Sequence, residues 1–437
     1  MKRLLPALIL WSAAAWSETK VFDNFTLFDG TGNGQVANAA MVVTDGRITY
    51  VGPKSALKLP AGSERVDLTG KYVIPGIINL HGHLANTVDL TQDAKNFTRE
   101  NLAKNLKVYS SYGVTTVVSM GSDQDLVYQV RAEQRAGRPS TTRIYTAGKG
   151  FTGKNGYPTK APGMKGVPYE VSTAEEARRY VNELAAKKPD FVKIWVDDHL
   201  GKEEKIPIEL SKAIIDAAKA KGLRTNTHMF YLDDAKKLVA AGAYGMAHSV
   251  RDKPVDQELI DLMKKHGAWQ QAGTFTREIS MYAYGTKQPF LDDPFFTRLA
   301  SPKAIATLKS PEYMKRVNSD PENMEYKGFL ETAKRNFKKL YDSGVKVGFG
   351  TDTGPPARFP GYFEHWELQL LNEAGLTPTQ ILTIATKNSA EFLGAKDLGT
   401  LEKGKWADMV VLTKNPLDDI KNTRSIDMVY VAGNKAN

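Results

Sequence analysis

The sequence contains no cysteine among its 437 residues. Disulfide bonds, thiol nucleophiles and thiolate metal ligands are therefore excluded, so the chain must rely on its core or on a bound metal for stability. Two further features are missing. No apolar run after residue 17 is long enough to cross a membrane, and no basic block is flanked by aromatic residues that would stack on nucleobases. We therefore expect a protein that binds neither nucleic acid nor a membrane.

The N-terminal segment has the pattern of a secretory signal. Lys2 and Arg3 precede the apolar run LLPALILWSAAAW, and the small residues Ala15 and Ser17 lie at its end. A charged n-region, an apolar h-region and a cleavage site with small residues predict a signal peptide over residues 1–17 and a secreted or periplasmic protein. The apolar run is too short to span a membrane, and its retention as an anchor is the alternative.

The remaining composition is that of a globular protein, with 41% hydrophobic and 25% charged residues. The formal net charge is +10 and falls by two when Lys2 and Arg3 are removed. The lysines are spread over predicted helix faces, which indicates solvated surfaces. A positive field of this kind favours an anionic group on a substrate over a cationic one.

Both ends of the chain are predicted to form β structure. Short β runs occur at residues 40–44, 47–51, 408–412 and 427–432. The first two flank Asp45-Gly46, which is a strong hairpin signal. Because neither end could bury much surface alone, we predict one small β-sandwich domain built from both termini, residues 18–70 and 396–437.

The sequence between these ends alternates strand-like apolar runs with amphipathic helix patterns over residues 71–395. The strand candidates are residues 73–84, 115–120, 143–148, 190–196, 224–229, 244–250, 268–275 and 345–351. Eight such β/α units predict an α/β fold, a (β/α)8 TIM barrel. A doubly wound sheet is the alternative, but no G-x-G-x-x-G turn follows any strand.

The first barrel strand ends in His81-Gly82-His83. Side chains at i and i+2 of a strand point to the same face, so the two imidazoles project together and can share a metal. Gly82 leaves the opposite face open for close packing. A turn with two solvated histidines is the alternative. In a parallel barrel the active site lies at the carboxyl ends of the strands, where these histidines are placed.

Further candidate ligands occur at the ends of later strands: Lys193, His228, His248 and Asp352. In the fourth strand Val192, Ile194 and Val196 would face the helices, so Lys193 points into the barrel. Burying an unpaired ammonium group is costly, and Lys193 therefore requires a partner. A buried ion pair with an acid such as Asp352 is one explanation for Lys193. For His228 and His248, the alternative is ordinary core histidines.

These motifs together resemble the amidohydrolase superfamily, in its imidazolonepropionase-like and prolidase-like branch. The similarity includes VIPGIINLHGH, FVKI, the 20-residue spacing of His228 and His248, GTDTG and LGTLEKGKWADMVVL. The resemblance implies two divalent metal ions. His81, His83 and Asp352 would hold one ion, and His228 and His248 the other. Lys193, carboxylated by carbon dioxide, would bridge both. Histidine and oxygen ligands suit zinc, with manganese or cobalt as alternatives.

The implied chemistry is metal-assisted hydrolysis, with Asp352 moving the proton from water to the leaving amine. Three further residues are candidates for substrate contacts. Tyr231 would bond the scissile carbonyl, Arg277 a substrate carboxylate, and His365 would line the pocket; local packing is the alternative for each. Long loops at residues 148–169 and 278–321 are predicted to wall the site, the second through the aromatic residues Tyr282, Tyr284, Phe290, Phe295 and Phe296.

The sequence therefore predicts an exported binuclear hydrolase that cleaves an amide bond in a dipeptide or N-acyl amino acid. We expect a small substrate with a free carboxylate and an apolar group, and a homo-oligomeric enzyme. An imidazolonepropionase-like ring hydrolase or deaminase is a second candidate, although such relatives lack a lysine like Lys193. A lactonase or esterase would also be compatible with the motifs, as would a non-catalytic metal-binding protein.

Overall fold

The computed structural model describes residues 18–436, and the predicted signal peptide lies outside the described residues. The strands are β1 (Thr19–Phe28), β2 (Gln35–Thr44), β3 (Arg47–Pro53), β4 (Glu64–Asp67), β5 (Tyr72–Pro75), β6 (Ile77–Gly82), β7 (Thr87–Val88), β8 (Thr91–Gln92), β9 (Val114–Ser119), β10 (Arg143–Thr146), β11 (Phe151–Gly153), β12 (Tyr169–Val171), β13 (Phe191–Val196), β14 (Arg224–Met229), β15 (Gly245–Met246), β16 (Trp269–Gln270), β17 (Met409–Leu412), β18 (Ile426–Val431) and β19 (Asn434–Lys435).

The helices alternate with these strands through the middle of the chain. They are α1 (Arg99–Ser111), α2 (Leu126–Ala136), α3 (Ala174–Ala186), α4 (Ile208–Ala220), α5 (Leu232–Ala240), α6 (Gln257–His266), α7 (Phe275–Tyr282), α8 (Pro294–Thr297), α9 (Pro302–Leu308), α10 (Pro311–Asn318), α11 (Glu322–Asp342), α12 (Tyr362–Glu373), α13 (Pro378–Thr383) and α14 (Ser389–Leu393). Over residues 18–436, none of the helices is both long and apolar enough to cross a membrane.

Strands from both ends of the chain form one mixed sheet in the order β19-β18-β17-β5-β1-β2-β3, with β4 paired to β1. The two ends meet where β17 pairs antiparallel with β5, with Val410 opposite Ile74. The apolar cluster of this sheet includes Phe22, Phe25, Met41, Val73 and Met409. The two termini therefore share one core, while its organisation as a two-layer sandwich stays a prediction.

The predicted first barrel strand, residues 73–84, is divided in the structure. β5 belongs to the terminal sheet and β6 pairs parallel with β9. Pro75 and Gly76 lie at the division, where Pro75 has no N–H for a ladder and Gly76 donates its N–H to Asp408. A side chain at Gly76 would collide with Thr115. The chain therefore changes sheets at this pair.

The middle of the chain contains two parallel sheets, β10-β9-β6 and β12-β11-β13-β14-β15-β16. The predicted eighth strand, residues 345–351, is not a continuous strand in the structure. It makes an isolated parallel bridge between Val347 and Gln270, and a second bridge joins Thr353, just after it, to Gly82. The predicted sixth and seventh strands are also shorter, with two paired residues each. Side-chain amides replace part of the ladder there, since Gln271 Nε2 donates to the carbonyl of Leu80 at 2.7 Å.

The segment after α11 nevertheless lies between β6 and β16. Leu80 N–H donates to the carbonyl of Phe349 at 2.7 Å, and Gly348 N–H donates to that of Gln270 at 2.9 Å. These bonds fix the end of the segment, including Asp352, beside the end of β6. The predicted neighbourhood of His81 and Asp352 therefore depends on backbone pairing rather than on a regular eighth strand.

The predicted direction of side chains in β13 is confirmed. Val192, Ile194 and Val196 are buried in one apolar cluster with Val181 of α3 and Ile214 of α4. Lys193 alternates with them, is fully buried and faces the other side of the sheet. Close packing at Gly82 is also observed, because a Cβ there would lie 2.8 Å from the hydroxyl of Tyr109.

Candidate active site

The candidate ligands converge at the carboxyl ends of the parallel strands. The members of this group, which we call the ligand cluster, are His81, His83, Lys193, His228, His248 and Asp352. All are buried except His83, whose side chain is 12% exposed. The ring centroids of His81 and His248 lie 4.8 Å apart, and those of His228 and His248 lie 4.2 Å apart. Residues separated by up to 271 positions in the sequence therefore form one site.

The imidazoles of β6 face the carboxylate that follows the eighth segment. Asp352 Oδ1 lies 2.9 Å from His83 Nε2 and 3.5 Å from His81 Nε2. Ligand atoms of His81, His248 and Asp352 all lie within 4.8 Å of one another. This spacing suits a shared metal ion, and the set of imidazole and carboxylate donors suits zinc, manganese or cobalt. The division of the ligands between two ions stays a prediction.

Hydrogen bonds orient the histidine rings. His81 Nδ1 donates to the carbonyl of Ala247 at 3.0 Å, and His83 Nδ1 is bonded to Ser122 Oγ at 2.8 Å. His248 Nδ1 is bonded to Thr274 Oγ1 at 2.9 Å, while His248 Nε2 is buried and has no partner within the described residues. A buried nitrogen without a partner is costly, and a metal ion would satisfy it. The residues present therefore fit a metal.

Lys193 has the environment of a functional lysine. Its Nζ lies 3.5 Å from His81 Nε2 and 5.9 Å from the centre of the Trp195 ring. Burial lowers the pKa of Lys193 to about 7, and the charge of Asp352 only partly opposes this shift. With this pKa, a substantial fraction of Lys193 is a neutral amine near physiological pH. Lys193 is therefore not an ordinary buried ammonium group in a close ion pair.

Asp352 is held in an uncommon conformation. Its φ of 59° lies in the left-handed region, and backbone outliers of this kind cluster at active sites. Arg358 Nη1 donates to Asp352 Oδ2 at 2.6 Å. Burial alone would raise the pKa of Asp352, but Arg358 and the histidines hold that pKa well below its usual range. The carboxylate is therefore ionised and available as a ligand or proton acceptor.

His228 has an acidic partner that the sequence motifs do not reveal. Asp197, directly after β13, accepts a hydrogen bond from His228 Nε2 at 2.6 Å. Burial lowers the pKa of His228 to about 4, although Asp197 opposes this shift. The contact leaves Nδ1 as the nitrogen for a metal, and carboxylates commonly fix metal-bound histidines in this way. The position of Asp197 at the carboxyl end of a barrel strand is the sequence signal that could have identified it.

We expect Asp197→Asn to weaken metal binding about 10- to 100-fold, the range for loss of an outer partner of a ligand. The amide keeps the size of the side chain but removes the charge that orients His228. Metal affinity can be measured by competition with a chelator. Asp198→Asn is the matched control, because Asp198 contacts Tyr231 instead. Equal affinities for the two variants would show that Asp197 does not support the site.

The cavity at the ligand cluster has a volume of about 210 Å³. The loop at residues 148–169 contributes to its wall as expected, through Tyr157, Pro158, Ala161, Pro162 and Met164. None of the aromatic residues from Tyr282 to Phe296 lines this cavity, so the expectation that they wall the site stays a prediction. They pack with α12 instead; Phe290, for example, stacks on Tyr362 with centroids 5.5 Å apart.

The three predicted substrate contacts are all engaged with protein groups, and none lines this cavity. Tyr231 donates to Asp198 at 2.8 Å. Arg277 is buried and pairs with Glu278 at 3.0 Å. His365 is bonded at both ring nitrogens, to Thr423 and to the carbonyl of Tyr112. The prediction that His365 lines the pocket is therefore wrong, because its buried ring joins α12 to Thr423 and Tyr112.

Arg358 is the cationic residue that borders the cavity. The sequence gives no signal for it, since Arg358 lies in an irregular loop after the eighth segment and no spacing connects it with the histidines. A buried group of imidazoles, a carboxylate and an amine at the carboxyl ends of parallel strands defines a metal-binding α/β enzyme.

Comparisons with known proteins identify the family. The sequence profile of the amidohydrolase family matches residues 72–436. Imidazolonepropionase from Streptomyces avermitilis is 26% identical over 385 residues, which cover 87% of this chain and 81% of that protein. A crystal structure assigned as a prolidase from Bifidobacterium longum has a TM-score of 0.76 at 25% identity, covering 96% of this chain and 94% of that one. A crystal structure of a Xaa-Pro dipeptidase has a TM-score of 0.75 at 20% identity, covering 96% of this chain and 99% of that one.

The chain belongs to the amidohydrolase family. It is a hydrolase that acts on carbon–nitrogen bonds, and its α/β fold is TIM-barrel-like. The family is typically metal-dependent, in agreement with the grouping of His81, His248 and Asp352. The resemblance inferred from the sequence motifs is therefore confirmed.

Proposed function

We propose that this protein is an exported binuclear amidohydrolase that cleaves the amide bond of a dipeptide or N-acyl amino acid. The observation that carries the proposal is Lys193, fully buried with its Nζ 3.5 Å from His81 Nε2. A lysine among metal-type histidines has a direct use as a bridging ligand, whereas a single ion would not require it. The N-terminal pattern supports export to the periplasm or the medium.

In this proposal His81, His83 and Asp352 would hold one ion, His228 and His248 would hold the other, and a carboxylated Lys193 would supply ligand oxygens to both. The neutral amine of Lys193 adds to the carbon of carbon dioxide and loses one proton, which gives an anionic carbamate. The lowered pKa of Lys193 supports this step because it makes the neutral amine accessible. When bound, the ions, which we propose to be zinc, polarise the scissile carbonyl and lower the pKa of water.

The chain's own groups then move the protons. Asp352 accepts a proton from the attacking water, whose oxygen adds to the carbonyl carbon. As the carbon–nitrogen bond breaks, Asp352 passes that proton to the leaving nitrogen. Arg358, bonded to Asp352 Oδ2, keeps the carboxylate oriented and ionised between these transfers. General acid–base catalysis of this kind increases the reaction rate about 10²- to 10⁴-fold.

We propose that the substrate has a free carboxylate beside the scissile amide. The site supports this through Arg358, which borders the cavity as well as contacting Asp352, whereas Arg277 contacts Glu278 and does not line the cavity. Arg358 therefore takes the role that the sequence predicts for Arg277. A positive guanidinium at the cavity wall favours an anionic group on the substrate. The enzyme is further proposed to act as a homo-oligomer.

The substrate proposal predicts that a free acid is preferred to its C-terminal amide by about tenfold or more in kcat/KM, because a hydrogen bond to a charged group contributes about 1.5–3 kcal/mol. The measurement compares N-acetyl-methionine with N-acetyl-methioninamide on the metal-loaded enzyme. Arg277→Lys serves as the control variant and should keep the preference. Equal rates for acid and amide would replace this proposal with an esterase, lactonase or endopeptidase.

A ring hydrolase is the second candidate, because imidazolonepropionases from several bacteria match most of the chain. Lys193 argues against it, since the resemblance places no bridging lysine in that branch. Imidazolone propionate is the discriminating substrate. Its hydrolysis at a higher kcat/KM than any dipeptide or N-acyl amino acid would favour the ring hydrolase.

A further inference from the structure

A second cavity lies beside the cavity of the ligand cluster and has a volume of about 300 Å³. Thr87, Gly354, Pro355 and Arg358 line both cavities. The two spaces therefore share a wall, and Arg358 stands at their junction. Each volume is at or below the lower end of the usual range for ligand sites, about 300–1,000 Å³, so a combined site would be of ordinary size.

The second cavity is mainly apolar. Its apolar lining includes Val88, Val108, Phe296, Leu299, Ala300, Ala304 and Phe359. Tyr112 also borders it, but the Tyr112 hydroxyl is already committed to the carbonyl of Phe295 at 2.6 Å. Polar side chains at the border include Asp89, Asn101 and Lys104. The cavity therefore offers an apolar interior with charged groups of both signs around it.

Exposed apolar side chains mark the same place. Within residues 18–436, the large hydrophobic residues that are exposed are Leu59, Val88, Leu299 and Met324. Two of these four, Val88 at 37% and Leu299 at 41% exposure, border the second cavity. Scattered exposed apolar residues need no explanation, but their grouping at one cavity is typical of a site that covers an apolar ligand.

We infer that the two cavities form one bipartite substrate site. The amide lies at the ligand cluster, and an apolar group of the substrate fills the second cavity. A volume of about 300 Å³ is at the lower end of the range for small-molecule sites, which accommodates a medium-length acyl chain. The inference rests on the proposed function and makes it more specific: the substrate class is an N-acyl amino acid with a medium-length acyl chain.

The first test compares kcat/KM for N-acetyl-alanine and N-octanoyl-alanine. A fully buried methylene contributes about fourfold in an equilibrium constant, so partial burial of six additional methylenes should favour the octanoyl substrate at least tenfold. Ala300→Trp, which fills the cavity with an indole ring, should reduce this octanoyl-to-acetyl ratio to below about threefold.

An exposed position provides a variant that does not depend on tolerance of a larger side chain. Leu299→Ser should lower the octanoyl-to-acetyl ratio at least threefold. Leu59→Ser is its matched control, since Leu59 is also exposed but lies far from both cavities in sequence and borders neither. This control should keep the ratio of the unmodified protein. Thermal unfolding of each variant verifies that its fold is intact.

The outcomes separate the inference from the proposed function. Equal kcat/KM for the two substrates in the unmodified enzyme would overturn the bipartite site while leaving the amidohydrolase proposal intact. If neither compound is hydrolysed, the proposed function fails, and binding of N-octanoyl-alanine measured by titration calorimetry tests the cavity directly. Binding that Ala300→Trp weakens at least tenfold supports the inference. No binding, or the same affinity in both proteins, overturns it.

Discussion

Lys193→Ala is expected to lower the metal content from two ions per chain to one or none, and to reduce turnover by more than the 10- to 100-fold typical of a lost outer contact. The physical reason is that Lys193 is fully buried beside His81, where its carboxylated form would add a negative charge and an oxygen ligand to the metal site. Metal analysis of the purified protein and kcat for an active amide substrate provide the two measurements.

Two variants control for other effects of this substitution. Lys193→Met keeps most of the side chain but has no amine, and should lose metal as the alanine variant does. Lys346→Ala removes a lysine that is 56% exposed and paired with Glu391, and should keep both metal and turnover. One ion per chain in the unmodified protein, unchanged in Lys193→Ala, would refute the binuclear site.

Asp352→Asn is expected to reduce turnover at least about 10²-fold while the fold remains intact. Asparagine cannot accept the proton from water, and it is a weaker ligand than a carboxylate. The fold should survive because asparagine is among the few residues that adopt a positive φ readily, as position 352 requires with its φ of 59°.

The measurement for Asp352→Asn is kcat together with the thermal unfolding midpoint. Asp216→Asn is a suitable control, because Asp216 is an exposed residue of α4 paired with Lys212; it should leave both quantities unchanged. Near-native turnover in Asp352→Asn would mean that a different group transfers the proton.

The sequence was most informative where function requires a residue type at a fixed place in a strand. The i and i+2 spacing of His81 and His83 and the alternation of Lys193 with Val192 and Ile194 both follow from strand geometry, which is local. The structure places these side chains as that geometry requires. Local periodicity also predicted the alternation of strands and helices through the middle of the chain.

Strand boundaries were less predictable, since they depend on which neighbouring segment pairs with the backbone through hydrogen bonds. The run at residues 73–84 reads as one strand, but Pro75 and Gly76 divide it between two sheets. Residues 345–351 read as a strand, yet they pair through isolated bridges and side-chain bonds. Apolar periodicity carries no information on these competing hydrogen bonds.

By itself, the sequence determined the family and the candidate ligand residues, because these follow from short motifs and from the two-residue period of a strand. Only the tertiary structure decided which polar groups meet them. Asp197 bonds His228, Arg358 bonds Asp352, and His365 is committed to Tyr112 and Thr423. Such contacts join distant segments, and the chain's folding in three dimensions, rather than any sequence spacing, sets their distances.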